Sequence, residues 1–238
     1  MLYLCSCIEV ILPVLVLPKV QFYFKMEHKV YVLPKNFYQN DDVVQLAKEL
    51  LGKLIITQID GKITSGIIVE TEAYRGPDDK GCHAFGGRYT ERTKTMYAQG
   101  GTVYVYICYG IHPMLNIVTG PEGDAHAILI RALEPLEGIE IMLKRRNVLS
   151  LNPELTNGPG KLAVALGISK ENNGSLLYDH QQSLLLLKSD LIIQEHNIIC
   201  GPRVGMSHLV GACAHRPWRF YIRDNPYVSK PLIVNYKW

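Results

Sequence analysis

The sequence predicts one mixed α+β domain built on a largely antiparallel sheet. Three observations carry that expectation. Asp60-Gly61 stands between two β-rich runs, a strong hairpin signal. Two further strand-like runs, Thr102 to Cys108 and Ile111 to Val118, meet across Tyr109-Gly110. No internal repeat, low-complexity tract or convincing linker divides the chain, and the loop-like stretches Asn147 to Thr156 and Ser169 to Gln182 stay within it.

Each element has a local reason. Asp41 to Leu51 (DDVVQLAKELL) places apolar residues at helical spacing after an acidic start, which predicts a helix. Lys53 to Thr57 and Lys62 to Tyr74 are the arms of the Asp60-Gly61 hairpin. Thr90 is a candidate cap for a short helix through Tyr97, ended by Gly100-Gly101. His126 to Leu133 reads as a strand. Leu136 to Asn147 reads as an amphipathic helix with its basic residues in the last turn, where they suit the dipole. Asn157-Gly158-Pro159 opens another helix through Leu166, with proline near the first turn. Leu184 to Lys188, Leu191 to Gln194 and Trp218 to Ile222 complete the strands.

Of the 238 residues, 47% are hydrophobic and 20% charged, enough to bury a real core. A net charge of +3 is too mild for indiscriminate polyanion binding. Phosphate affinity would have to come from local clusters: Arg88, Arg92 and Lys94, then Lys144, Arg145 and Arg146. The six cysteines show no C-x-x-C spacing and read as free thiols. His208 to His215 (HLVGACAH) matches no common zinc spacing, so no metal is expected. Residues 1–25 form an extension of uncertain status, and residues 26–238 form the domain. The apolar run Ile8 to Leu17 is broken by Pro13, well short of the about 20 residues a membrane helix needs. It also lacks a signal peptide's basic front end, and no membrane partner is expected.

The chemistry concentrates between Val69 and Asn116. Glu70 and Glu72 are two apart on a strand, so they share a face with Cα atoms about 6.5 Å apart. Arg131 lies inside an apolar run (AILIRAL), and a buried cation must be paired, so it is the natural partner. A structural Glu–Arg bridge and a catalytic carboxylate both remain open on this spacing. Tyr104, Tyr106 and Cys108 alternate onto one face, Val103, Val105 and Ile107 onto the other. Such rings are often plain sheet cover. Their company with Tyr74, His83 and a basic glycine-rich loop points instead to base stacking. Tyr109 at the turn can protrude and wedge into a base stack.

These residues resemble the alkyladenine (3-methyladenine) DNA glycosylase family. The likeness runs through Val69-Glu70-Thr71-Glu72-Ala73-Tyr74, Gly76-Pro77-Asp78-Asp79, His83, Gly86-Gly87-Arg88, Gly101 to Tyr106, Tyr109-Gly110 and Asn116. It resumes at Arg131 to Pro135, Gly158 to Leu162, Arg203-Val204-Gly205 and Pro217 to Tyr221, and covers Lys29 to Ser229. The resemblance implies a curved antiparallel sheet related to a formyltransferase C-terminal domain. It implies a monofunctional enzyme that flips alkylated or deaminated purines from double-stranded DNA and hydrolyses the N-glycosidic bond, without cofactor.

By the same resemblance Glu72 activates the water, and Arg131 and the Val204 carbonyl help hold it. Tyr74, His83 and Tyr106 enclose the flipped base, Asn116 disfavours normal guanine and Tyr109 fills the gap in the duplex. Arg88, Thr90, Arg92, Lys94, Met96 and Tyr104 contact the DNA backbone. Such an enzyme would work at the nucleoid of a bacterium or in a nucleus; no heptad pattern or evident apolar interface is present, so a monomer is expected. Two departures stand out: Glu91 where the family usually has proline, and Pro113 where an aromatic is common. Two other readings compete. A catalytically silent nucleic-acid-binding module would have no reason to hold a carboxylate near phosphates. A glycosidase of free sugars using Glu70 and Glu72 would leave the basic loop without purpose.

Overall fold

The protein is described by a computed structural model over residues 31–179, 181–188 and 191–232. The expectations for the N-terminal extension lie outside the described residues. Asp42 caps the first helix, α1 (Val43–Glu49), by accepting from the Val44 and Gln45 N–H groups. That helix turns Val43, Leu46 and Ala47 into the core. The Asp60-Gly61 hairpin forms as expected between β2 (Leu54–Ile59) and β3 (Lys62–Arg75), with both turn residues at positive φ, 53° and 67°.

The remaining strands are β1 (Tyr31–Val32), β4 (Val103–Cys108), β5 (His112–Thr119), β6 (His126–Glu137), β7 (Leu184–Lys188), β8 (Ile198–Gly201) and β9 (Arg219–Ile222). They form one sheet in the order β1-β7-β2-β3-β6-β5-β4, with β9 on β3 and β8 on β9. Every pairing among these strands is antiparallel. The long strand β3 organises the sheet. It pairs with β2 along Lys62–Ile67, then with β9 along Glu70–Glu72, while β6 follows its other edge. Register shifts against β6 fall around Ile68, Glu70 and Thr71. A further shift falls at Ser65/Gly66; bulges bend a strand and increase its twist, and two of the three irregularities adjoin Glu70.

Side chains leave this sheet toward a main core, a tyrosine-side cluster and a small cluster of Val69, Ala132, Tyr221 and Val228. Val103 and Val105 of β4 join Ile117, Ile128 and Ile130 in the main core, which α1 and α3 (Pro159–Leu166) cover with Leu46, Ala47, Leu162 and Leu166. Tyr104 goes the other way, to Cys82, Ala84, Met96, Val118, Ala125 and Ala127, with Tyr74, Tyr97 and Tyr106 packed against them. The alternation expected for β4 is therefore real, and the tyrosine side lies under the loop that follows β3.

Three expectations need correction. The helix expected over Leu136 to Asn147 starts later, as α2 (Ile139–Arg146), because β6 continues to Glu137 in register with Ser65 of β3. Gly138 ends the strand at φ 71°, where a Cβ would lie 2.3 Å from the Ile63 carbonyl oxygen. The strand expected at Leu191 to Gln194 is absent; β8 lies instead at Ile198–Gly201, paired with β9. The helix expected through Tyr97 shrinks to a 3₁₀ turn over Lys94–Tyr97 preceded by turns, although the Thr90 hydroxyl accepts from the Thr93 N–H at 3.3 Å as a cap would.

Gly100 supplies a test of the packing. A Cβ there would lie 2.2 Å from the Tyr38 carbonyl oxygen. Gly100→Ala is expected to destabilise by about 1–3 kcal/mol through backbone displacement. Urea unfolding measures this, and an unchanged midpoint would contradict the close approach.

Candidate active site

The bulged half of β3 carries Glu70, Glu72 and Tyr74, and both glutamates are fully buried. Four donor atoms surround Glu70. Arg219 Nε donates to its Oε1 at 2.6 Å, the Ser229 hydroxyl to Oε1 at 3.0 Å and the Ser229 N–H to Oε2 at 2.8 Å. Arg131 Nε lies 3.2 Å from Oε1. Burial pushes the Glu70 carboxyl up while Arg219 and Arg131 pull it back.

Glu72 stands differently. The Val204 N–H donates to its Oε1 at 2.8 Å, and Arg131 Nη1 is 3.4 Å from the same oxygen. The Tyr74 hydroxyl donates to Oε2 at 2.7 Å. Arg131 thus bridges both carboxylates from β6, the partner that its place in an apolar run predicts. Burial, the Glu72 charge and its hydrogen bond raise the Tyr74 phenol well above the ordinary value, so the phenol keeps its proton and donates it.

The loop after β3 brings His83 to the tyrosines. Its Nδ1 is 3.0 Å from the Tyr104 hydroxyl, and its ring meets Tyr106 edge to face with centroids 4.6 Å apart. Tyr104 and Tyr106 lie 5.6 Å apart. Arg92 Nη2 is 3.0 Å from His83 Nε2, and its guanidinium covers the Tyr106 ring at 4.9 Å. Burial, then Arg92 and Arg88, lower the His83 imidazole to about 4. Burial raises Tyr104 to about 12 and Tyr106 higher still, so both rings are neutral phenols. Asn116 is buried on β5, its side-chain amide donating to the Tyr104 and Met114 carbonyls.

Tyr109 is 92% exposed at the β4–β5 turn, with φ 51° followed by Gly110 at φ 77°. The Ile111 N–H closes that turn on the Cys108 carbonyl at 3.2 Å. Two successive positive φ values give a type I′ turn, which throws the ring outward. Arg88, Thr90, Arg92 and Lys94 are exposed on the loop before β4, and Lys94 is 2.5 Å from Glu91. The Met96 and Tyr104 side chains are buried in the tyrosine-side cluster. The second basic cluster is largely spent on the fold. Arg145 donates to the Ala165 and Ile59 carbonyls and Arg146 to the Leu155 carbonyl, correcting their expected role in phosphate affinity.

Sequence reasoning quoted Asp79 and Arg203 within the resemblance but gave no role to the side chains that hold this arrangement. Arg203 and Asp79 form a buried bidentate pair, and Arg203 also donates to the Ala73 and Cys213 carbonyls. Its guanidinium lies 4.5 Å from the Tyr74 ring centre. One side chain therefore links the His83 loop, the Tyr74 strand and, through its neighbour Val204, the Glu72 carboxylate. Asp79 and Arg203 are 124 positions apart, so no local pattern joins them. Arg219 did carry a signal, the one that marks Arg131: an arginine inside an apolar and aromatic run.

A family model described as methylpurine-DNA glycosylase matches residues 36–226. A curated protein of Bacillus mycoides named "Putative 3-methyladenine DNA glycosylase" is 46% identical over 203 residues, covering 83% of this chain and 98% of the relative. One of Chlamydia felis with the same name is 47% identical over 194 residues, covering 80% of this chain and 96% of the relative. Among the described residues, no helix is long and apolar enough to cross a membrane.

Proposed function

The chain belongs to the methylpurine-DNA glycosylase family, and from that membership we propose that it excises damaged purines from duplex DNA. The substrates are alkylated or deaminated purines of the 3-methyladenine, hypoxanthine and ethenoadenine class, and the product is an abasic site. The observation that carries this reading is Glu72, a carboxylate tied to the aromatic cluster through its bond to Tyr74.

A carboxylate has about four lone-pair positions. Val204 and Arg131 approach Oε1, and Tyr74 takes one position on Oε2. As the C1′–N bond breaks, its electron pair leaves with the purine, and positive charge developing on the sugar ring is stabilised by the still-ionised carboxylate. The water oxygen bonds to the sugar C1′ and gives its proton to the remaining position on Oε2. A cationic base departs neutral; a neutral base needs a proton or hydrogen bonds as it leaves. Arg131 and the Val204 carbonyl hold the water.

Tyr74, His83 and Tyr106 enclose the flipped base, and Asn116 crowds the amino group of normal guanine. Lesions pair and stack poorly, which lowers the cost of flipping. Tyr109 fills the vacated space in the duplex, and Arg88, Thr90, Arg92, Lys94 and the main chain near Met96 and Tyr104 meet phosphates. The enzyme acts as a monomer.

Duplexes carrying 3-methyladenine, hypoxanthine or 1,N6-ethenoadenine test the proposal: base should be released without strand scission. Scission coupled to release would point to lysine-based lyase chemistry instead. Tyr109→Ala should forfeit about 1–3 kcal/mol of stacking, read as slower release from duplexes with circular dichroism unchanged. Wild-type rates on several lesions would remove the wedge role.

A further inference from the structure

The His83 ring is held at both nitrogens. Arg92 Nη2 lies 3.0 Å from Nε2, and the Tyr104 hydroxyl lies 3.0 Å from Nδ1. A guanidinium has only donors. Nε2 must therefore accept, and the single ring proton sits on Nδ1, donated to the Tyr104 oxygen. The backbone beside Arg92 is anchored: Thr93 is buried, and its hydroxyl donates to the Arg88 carbonyl at 2.9 Å. The charged and titratable groups that face His83 are Arg88 and Arg92 from its own loop, and Tyr104 and Tyr106 from β4. None of these is a carboxylate that would favour an imidazolium.

We infer that Arg92 is a positioning residue that determines specificity: by donating to Nε2 it keeps His83 uncharged in the wall of the base slot, and so keeps that slot open to positively charged purines. The inference rests on the slot assigned above. Arg92 is itself a cation, but it is exposed and screened by water, whereas a protonated His83 would set a half-buried like charge against a cationic base and affect a neutral base far less. Arg92 therefore acts on lesions through their charge, which a phosphate contact does not.

Two readouts test it in the full chain, with Arg92→Ala and Arg92→Lys. The first is the His83 imidazole titration by NMR, its resonance identified by loss in His83→Asn. In the wild type the ring should stay neutral down to about pH 4. In Arg92→Ala its midpoint should rise, while burial and Arg88 still hold it below the ordinary value of about 6.5, and Arg92→Lys, still a donor, should hold it low. An unmoved midpoint in Arg92→Ala overturns the inference, whether or not the protein releases any base. The second readout compares release of 7-methylguanine, a cation, with hypoxanthine, a neutral base, between pH 5 and 7. Arg92→Ala should lose release of the cation by roughly 2- to 5-fold at the acid end relative to wild type, with the hypoxanthine ratio constant across the range. Equal loss for both bases at every pH would assign Arg92 to phosphate binding alone and overturn the inference. Absence of any base release by the wild type would sink the proposed function, and the titration would still decide the role of Arg92.

Discussion

Glu72→Gln is expected to lower base release by about 10²–10⁴-fold while leaving folding and lesion-duplex binding intact. The amide is nearly isosteric with the carboxylate. Its oxygen can keep the Val204 N–H and Arg131, and its NH₂ can face the Tyr74 hydroxyl, which then turns to accept. What disappears is a basic oxygen for the water proton and a negative charge for the sugar. Single-turnover release with enzyme in excess measures the loss, and mobility shift of the same duplex measures binding. Equal release by variant and wild type would take Glu72 out of the chemistry. Loss of binding and release together would mean that the carboxylate is needed for the fold of the slot.

The second large effect is on stability. Arg203→Met should cost about 3–5 kcal/mol, because it leaves Asp79 as an unpaired charge with no exposure to water. The same change releases the Ala73 and Cys213 carbonyls and removes the guanidinium from the Tyr74 ring. Adding Asp79→Leu should recover much of the stability, since replacing both partners removes the stranded charge. It should not recover base release, because the links to Tyr74 and the His83 loop stay broken. Chemical denaturation of the two variants checks the first part and release assays the second. A single variant within about 1 kcal/mol of wild type would show that the pair contributes little.

Much of the fold was legible locally. The Asp60-Gly61 and Tyr109-Gly110 turns, the Asp42-led helix and the two-sided strand β4 each follow from short-range chemistry. Two of the failures share one cause. Leu136 and Glu137 have a helical neighbourhood, yet the ladder between β6 and β3 claims them. Leu191 to Gln194 look like a strand, but β9 pairs with Ile198–Gly201 instead. Pairing with a distant strand outweighs local preference in both places.

The sequence alone determined which chemical groups are present: two alternate carboxylates, an arginine that must be neutralised, and rings directed to one sheet face. The family resemblance named Glu72, but strand spacing could not say why it should differ from its neighbour. Glu70 and Glu72 occupy equivalent places in the strand pattern. The tertiary structure supplies the physical difference, because Arg219, 149 positions away, and Ser229, 159 away, close around Glu70. Glu72 is left with Val204, Arg131 and a hydroxyl from the aromatic cluster. A buried charge takes its character from the donors that reach it, and those donors arrive through long-range packing that no local spacing encodes.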